Sequence, residues 1–279
     1  MTGGTVRQRI LGRRLRRMRE EAGLSIEVAA PALDCSVSKL TRIEGARQGL
    51  DSHLARSMLD LYDVGGARWA ETLELVKEAR EKPWWKQYGL GDKFNYVQFE
   101  TDAALVQDFA PSYVPGLLQT REYARALFSS NQQSWSAGKL EAALEVRMIR
   151  QQRLTDTERR LRLVAVAGEA ALRNPVGDPD VMDAQLAHIA EAATLPAVTL
   201  QVLPAHPGPH AALASGFTVL SFGELDEPDM VFVEHALGAA FVEDERGVAM
   251  ARRKFDQLRT LALNPADSLD LLRDIAAAT

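Results

Sequence analysis

"AGLSIEVAAPALDCSVSKLTRIEGARQGL", residues 22–50, holds two short apolar-periodic segments separated by "LDCS". Gly23 is placed to close a preceding helix and Ser25 to cap the next. The spacing predicts one helix over residues 26–33 and another over 37–44, the latter capped by Ser36. Leu33, Cys35, Leu40 and Ile43 recur at intervals that turn them inward and fix the angle between the two helices. Two short helices joined this tightly, the second opening on small polar residues, make a helix-turn-helix. A helix of this width fits the DNA major groove, with its first residues reaching base edges. The candidate DNA-contacting set is therefore Ser36, Val37, Ser38, Lys39, Thr41, Arg42 and Arg47. Arg42 is suited to a bidentate bond with guanine, whereas Lys39 and Arg47 flank that face and suit phosphates. Gly45 and Gly49 are expected to let the chain leave the helix in a left-handed conformation. The plainer reading, a helical subdomain with a merely solvated basic face, does not explain why cap, inward spacing and basic tail coincide.

Upstream, Ile10, Leu11, Leu15 and Met18 recur at helical spacing among seven arginines between Arg7 and Arg19. Downstream, residues 52–62 form a further helix with Leu54, Met58, Leu59 and Leu61 available to face the others. Residues 1–66 thus read as one helical DNA-binding domain. Its charge supports this: residues 1–60 carry 11 Lys and Arg against 7 Asp and Glu, within a chain of net charge −5. A basic end on an acidic body suggests that a polyanion is bound at that end only. With 46% hydrophobic and 25% charged residues the composition is that of a soluble globular protein. No apolar run approaches the roughly 20 residues of a membrane span. The start has no apolar stretch behind its charges, and a single cysteine, Cys35, rules out an internal disulfide; both suit a cytoplasmic location.

Residues 67–99 read as a helical and aromatic linker: a charged helix leading out over 67–82, then Pro83 and "PWWKQY". That aromatic cluster could line a ligand pocket or a partner groove, but a hydrophobic hinge between domains is the commoner use of such a segment. Residues 100–279 read as an α+β body. Helices are expected at 98–108, 120–128 and 138–153, with "VPGLLQT" as a buried turn before the second. "LRLVAVAGEAAL" begins as a strand and turns at Gly168 into a helix, and Asp178 with Pro179 opens another. "AVTLQVLP", "FTVLSF", "DMVFVEH" and "AAFVED" are further strands, before two last helices at 246–262 and 266–277. The expected fold class is α+β, an all-helical N-terminal domain followed by a larger mixed-sheet domain with flanking helices. His206 and His210 with Glu234 and His235 are the best candidates for a metal site. The first two lie in a proline-rich loop and the last two alternate faces on a strand, so no metal, cofactor or enzymatic activity is expected. No phosphate-cradling glycine loop and no nucleophile elbow appears.

The stretch at 22–50 resembles the Cro/C1-type (XRE) helix-turn-helix family without a gap. The likeness continues through "FAPSYVPGLLQTREYARALF", "RQQRLT", "LRLVAVAGEAALRNPVG", "VMDAQLAHI", "VTLQVLP" and "SGFTVLSF". That run is similar to actinobacterial regulators in which this motif precedes a domain of unknown function. The resemblance implies an antitoxin-like transcriptional regulator acting on double-stranded DNA, often encoded beside a small partner protein. The chain departs from the family pattern at Ile26 and Val37, where glutamine is common, and at Asp34, where glycine is usual in the turn. Pro31 also removes an amide inside the second helix. A homodimer is expected, because one recognition helix rarely supplies enough contacts. The alternative is an interaction protein that sequesters a small partner and has weakened DNA specificity.

Overall fold

Thr5 accepts the amide of Gln8 while the Gln8 side chain accepts the amide of Thr5, a reciprocal cap that starts the first helix, α1 (Val6–Glu21). The computed structural model describes residues 4–91, 95–131, 135–205, 215–235 and 238–278. It divides into two compact units, Met1–Trp84 together with Glu224–Glu227, and Trp85–Gly223 together with Pro228–Thr279.

In the first unit α1 is followed by α2 (Ile26–Ala32), α3 (Val37–Glu44), α4 (Ser52–Leu61) and α5 (Gly66–Arg80). The predicted inward residues Leu33, Leu40 and Ile43 are buried, with Cys35 packed against the same cluster. Leu11, Leu15 and Met18 from α1 and Met58 and Leu59 from α4 complete that core. The helix expected to lead out of the unit stays in it. Val76 and Ala79 of α5 are buried in the same core, and Gln8 of α1 donates to the carbonyl of Ala79. A charged sequence concealed one apolar stripe along α5, made of Trp69, Leu73, Val76 and Ala79.

The first four helices end alike. After α1 the amide of Leu24 bonds the carbonyl of Arg19, after α2 Cys35 bonds Ala30, after α3 Arg47 bonds Arg42, and after α4 Val64 bonds Leu59. Each is the six-to-one bond of a Schellman motif, which needs a left-handed residue just before its donor. Gly23, Asp34, Ala46 and Asp63 fill those positions, with φ of 71°, 50°, 53° and 54°. Here the expectation for Gly45 and Gly49 is corrected. Gly45 caps α3 with φ −86°, Gly49 is not among the left-handed residues, and the left-handed turn falls on Ala46. The bonding pattern fixes which residue turns, and it is one position past the glycine. Ser36 caps α3 as expected, accepting the Lys39 amide at 3.1 Å, whereas the Ser25 side chain makes no cap bond to α2.

The second unit is built on a six-stranded mixed sheet with helices around it. In chain order its elements are α6 (Asn95–Glu100), β1 (Leu105–Ala110), α7 (Arg121–Asn131), α8 (Ala137–Gln151), β2 (Arg162–Gly168), α9 (Glu169–Arg173), α10 (Pro179–Ala192), β3 (Val198–Leu203), β4 (Phe217–Ser221), β5 (Met230–His235), β6 (Gly238–Val242), α11 (Glu245–Leu261) and α12 (Pro265–Ala278). The strand order is β3-β2-β1-β4-β5-β6; β1, β2 and β3 run parallel, and the pairs β1–β4, β4–β5 and β5–β6 are antiparallel.

The helix expected at 98–108 is overturned: residues 105–110 are β1, a central strand. Buried Phe99, Ala103, Val106 and Phe109 recur at helical intervals, which disguised the strand. "VPGLLQT" is a buried turn, with Val114, Leu117, Leu118 and Gln119 all buried. One sheet face packs on α11 through Phe109, Val166, Phe255 and Leu258. On the other face the register lines up Asp108, Thr218, Phe232 and Phe241 across four strands. Tyr96 of α6 meets Phe232 at 4.8 Å, and Phe99 meets Phe241 at 4.9 Å.

Candidate nucleic-acid interface

A recognition helix must be held firmly by one face and left bare on the other. α3 is held at its end by Arg19 of α1, whose Nε and Nη2 donate to the two carboxylate oxygens of Glu44 at 2.7 and 2.9 Å. Nη1 of the same guanidinium donates to the carbonyl of Leu24 at 2.8 Å. The pair is nearly sealed from water, at 8% and 6% side-chain exposure, so it acts in a medium where charge attraction is strong. Gly12 brings the backbones together: a Cβ there would lie 2.5 Å from the carbonyl oxygen of Glu44. None of Gly12, Arg19 and Glu44 was singled out from sequence. An isolated glycine within the helical arginine-rich pattern was the available signal of close packing.

Along the bare side, Ser36, Val37, Ser38, Thr41, Arg42 and Arg47 are exposed and Lys39 is half-buried. Val37 offers an apolar surface, 38% exposed, suited to a thymine methyl. Ser36 is already committed to capping, and the Thr41 hydroxyl donates to the Val37 carbonyl at 2.8 Å, leaving oxygen lone pairs outward. No ion pair engages Lys39, Arg42 or Arg47 among the described residues. The arginines of α1 differ. Arg7 pairs with Glu78, Arg16 with Glu20 at 2.8 Å, and Arg9 and Arg13 each with Glu227 at 2.7 Å. Three cations that make no ion pair among the described residues thus lie on and beside α3, while most of the arginines on α1 are held in ion pairs.

The departures from the family pattern take definite places. Ile26 packs partly buried against the core, so its position at the start of α2 is a packing site and cannot grip a phosphate. Asp34 is exposed at its left-handed φ of 50°, a conformation short polar side chains tolerate. Pro31 lies in the last turn of α2, which ends at Ala32, so a single helical bond is lost.

The second unit contains a charge cluster that the sequence did not disclose. Glu100 of α6 receives Nε and Nη2 of Arg150 on its two oxygens at 2.5 and 2.6 Å, and the pair is buried. Beneath it Asp108 accepts the Thr218 hydroxyl at 3.0 Å. Burial pushes the Asp108 carboxyl up to about 6, against the stabilising bond from Thr218. Arg147, one turn before Arg150, has its guanidinium pulled down to about 10 by burial and by the neighbouring Arg150 charge. Among the described residues no group of three or more His, Cys, Asp or Glu is placed to hold a metal. His206 and His210 lie outside those residues, and Glu234 and His235 are exposed at the end of β5. Among the described residues no helix is long and apolar enough to cross a membrane.

Comparison with protein families gives two matches. A helix-turn-helix domain matches residues 10–71, and a domain of unknown function (DUF5753) matches residues 95–274. No curated protein and no solved structure matches the chain.

Proposed function

We propose that this chain, which belongs to the family of the domain of unknown function (DUF5753) and carries a helix-turn-helix domain ahead of it, is a sequence-specific transcriptional regulator. It binds double-stranded DNA as a homodimer, and its second unit both pairs the copies and receives a ligand or small protein. The observation that carries this reading is the bare face of α3, where Lys39, Arg42 and Arg47 make no ion pair among the described residues and lie beside Val37, Ser38 and Thr41. Pairing two such units makes the second contact intramolecular, a gain of roughly 10²–10⁴ where geometry permits.

The test is a titration of the full chain on its preferred duplex and on random duplex. Arg42→Ala costs about 1–3 kcal/mol on the preferred site and relaxes base choice at one position. Arg47→Ala weakens both duplexes alike and lowers the salt slope by about one. Equal losses on both duplexes for Arg42→Ala would show that Arg42 touches only phosphate.

A second reading, an antitoxin-like protein that sequesters a small partner, is favoured by Ile26 and Asp34. The first is turned into the core and the second sets a negative charge in the turn ahead of α3. Discrimination between preferred and random duplex of less than about tenfold would favour it.

A further inference from the structure

We infer that the outer edge of β6 docks a second copy of this chain, the two sheets joining by antiparallel β6–β6 pairing about Ala240. This rests on the reading of the second unit as the part that pairs the copies, and it names the surface that does so. The six-stranded sheet has two edges, β3 and β6, and the chain treats them differently. The β3 edge is closed from within: the Val202 amide donates to the Ser268 hydroxyl at 2.9 Å, and the Val202 carbonyl accepts the Leu263 amide at 2.9 Å. Among the described residues nothing beyond β5 hydrogen-bonds the backbone of Gly238–Val242, and Gly238, Ala239 and Ala240 are exposed. Alternate residues of an edge strand turn their amides and carbonyls outward, a template for another strand. Proteins that must avoid such pairing set lysine, proline or a bulge on the edge. "GAAFV" holds no lysine and no proline, and its register with β5 runs without a break from Val231–Val242 to His235–Gly238.

The residues of β6 are complementary to their own reverse. In antiparallel pairing about Ala240, Gly238 faces Val242 of the second copy, Ala239 faces Phe241, and Ala240 faces Ala240. Every large side chain thus meets a small one. Centring on Phe241 instead would oppose two rings already engaged by Phe99 and Phe232, at 4.9 and 5.1 Å, and would set Ala239 against Glu243. Val242 is held by its own copy through Val219, Val231 and Val248, so the edge is presented preformed. Glu243, Asp244 and Glu245 follow β6 at one end. A two-fold axis sends the two acidic clusters to opposite ends of the seam, and because each copy spends its one open edge, assembly stops at two. With 5 residues a side the seam is smaller than a standard interface, which sets a dimer of micromolar strength.

The test is sedimentation of the full chain across concentrations, alongside Ala240→Lys and Ala240→Glu. The parent chain passes from monomer to dimer in the micromolar range, and amide hydrogen exchange in β6 slows as the dimer forms. Ala240 is exposed, so each variant melts near the parent temperature. Each variant alone sets like charges against each other on the axis and weakens association at least about tenfold. An equimolar mixture of the two re-forms the dimer, which a loss of folding would not allow. Variants that dimerise as tightly as the parent overturn the inference, as does a mixture that associates no better than either variant alone. A parent chain that dimerises while β6 exchange stays unchanged overturns this edge and leaves the homodimer standing. A parent chain that stays monomeric overturns both and leaves the edge to an extended segment of another protein. DNA titration of that monomer then shows whether the regulator survives without pairing.

Discussion

Asp108 is an acid kept where ionisation is disfavoured, half-buried on a central strand with its carboxyl raised to about 6. Because its folded value exceeds the unfolded one, the native state holds this proton more tightly. The associated stability is fully present below about pH 4 and is lost as pH rises through 6. A rise of about two units corresponds to at most about 3 kcal/mol. Asp108→Asn keeps an acceptor for Thr218 and removes the titration. The variant therefore melts above the parent chain at pH 7.5, and the gap closes as the pH is lowered to 4; a gap that does not change with pH would assign the effect to packing. Little of this was legible in "LVQDFA", because a buried acid is recognised only by what surrounds it. The exposure of Val37, Ser38, Thr41 and Arg42 was legible one by one, since it follows directly from helical period.

At the scale of elements, the helix-turn-helix was the most readable part of the chain, and the contacts that orient it were the least. The boundaries of α3 follow from the Ser36 cap and the apolar spacing, but its attachment to Arg19 and Gly12 depends on residues far from it in sequence. Gly12→Ala tests that attachment. The methyl would enter the 2.5 Å gap to the Glu44 carbonyl, so α1 and the end of α3 must part. Overpacking costs about 1–3 kcal/mol and alanine returns up to about 1 kcal/mol of helix propensity, so a net loss of about 1–2 kcal/mol is expected in denaturant titration. DNA affinity falls on all duplexes together, because the whole helix shifts. The helix ends were half-legible. Gly23 announces its left-handed turn, whereas Asp34, Ala46 and Asp63 adopt the same turn without glycine, held there by paired backbone bonds. β1 was misread because period alone does not distinguish a buried strand next to a helix from one continuous helix.

For the molecule as a whole, the order of a helical domain followed by a mixed sheet was plain from the change in character after residue 160. The place of α5 was not, because its apolar stripe is thin within a strongly charged sequence. Its packing predicts how fragments behave. A chain ending at residue 66 uncovers the surface of α1 and α4 that Val76 and Ala79 protect, whereas one ending at 84 retains it. The longer fragment melts higher by thermal scan and shows the sharper transition; equal melting would mean that α5 is dispensable to the core.

The division of α3 between its two sides has a consequence for how such a protein changes over time. Leu40, Ile43 and Glu44 tether the helix, whereas Val37, Ser38, Thr41 and Arg42 support nothing in the core. The letters can be replaced without touching the hinges. On the proposal that this face reads DNA, new operator preferences are within reach of single substitutions that leave folding intact, and a lineage can drift from one target to another without passing through an unfolded intermediate.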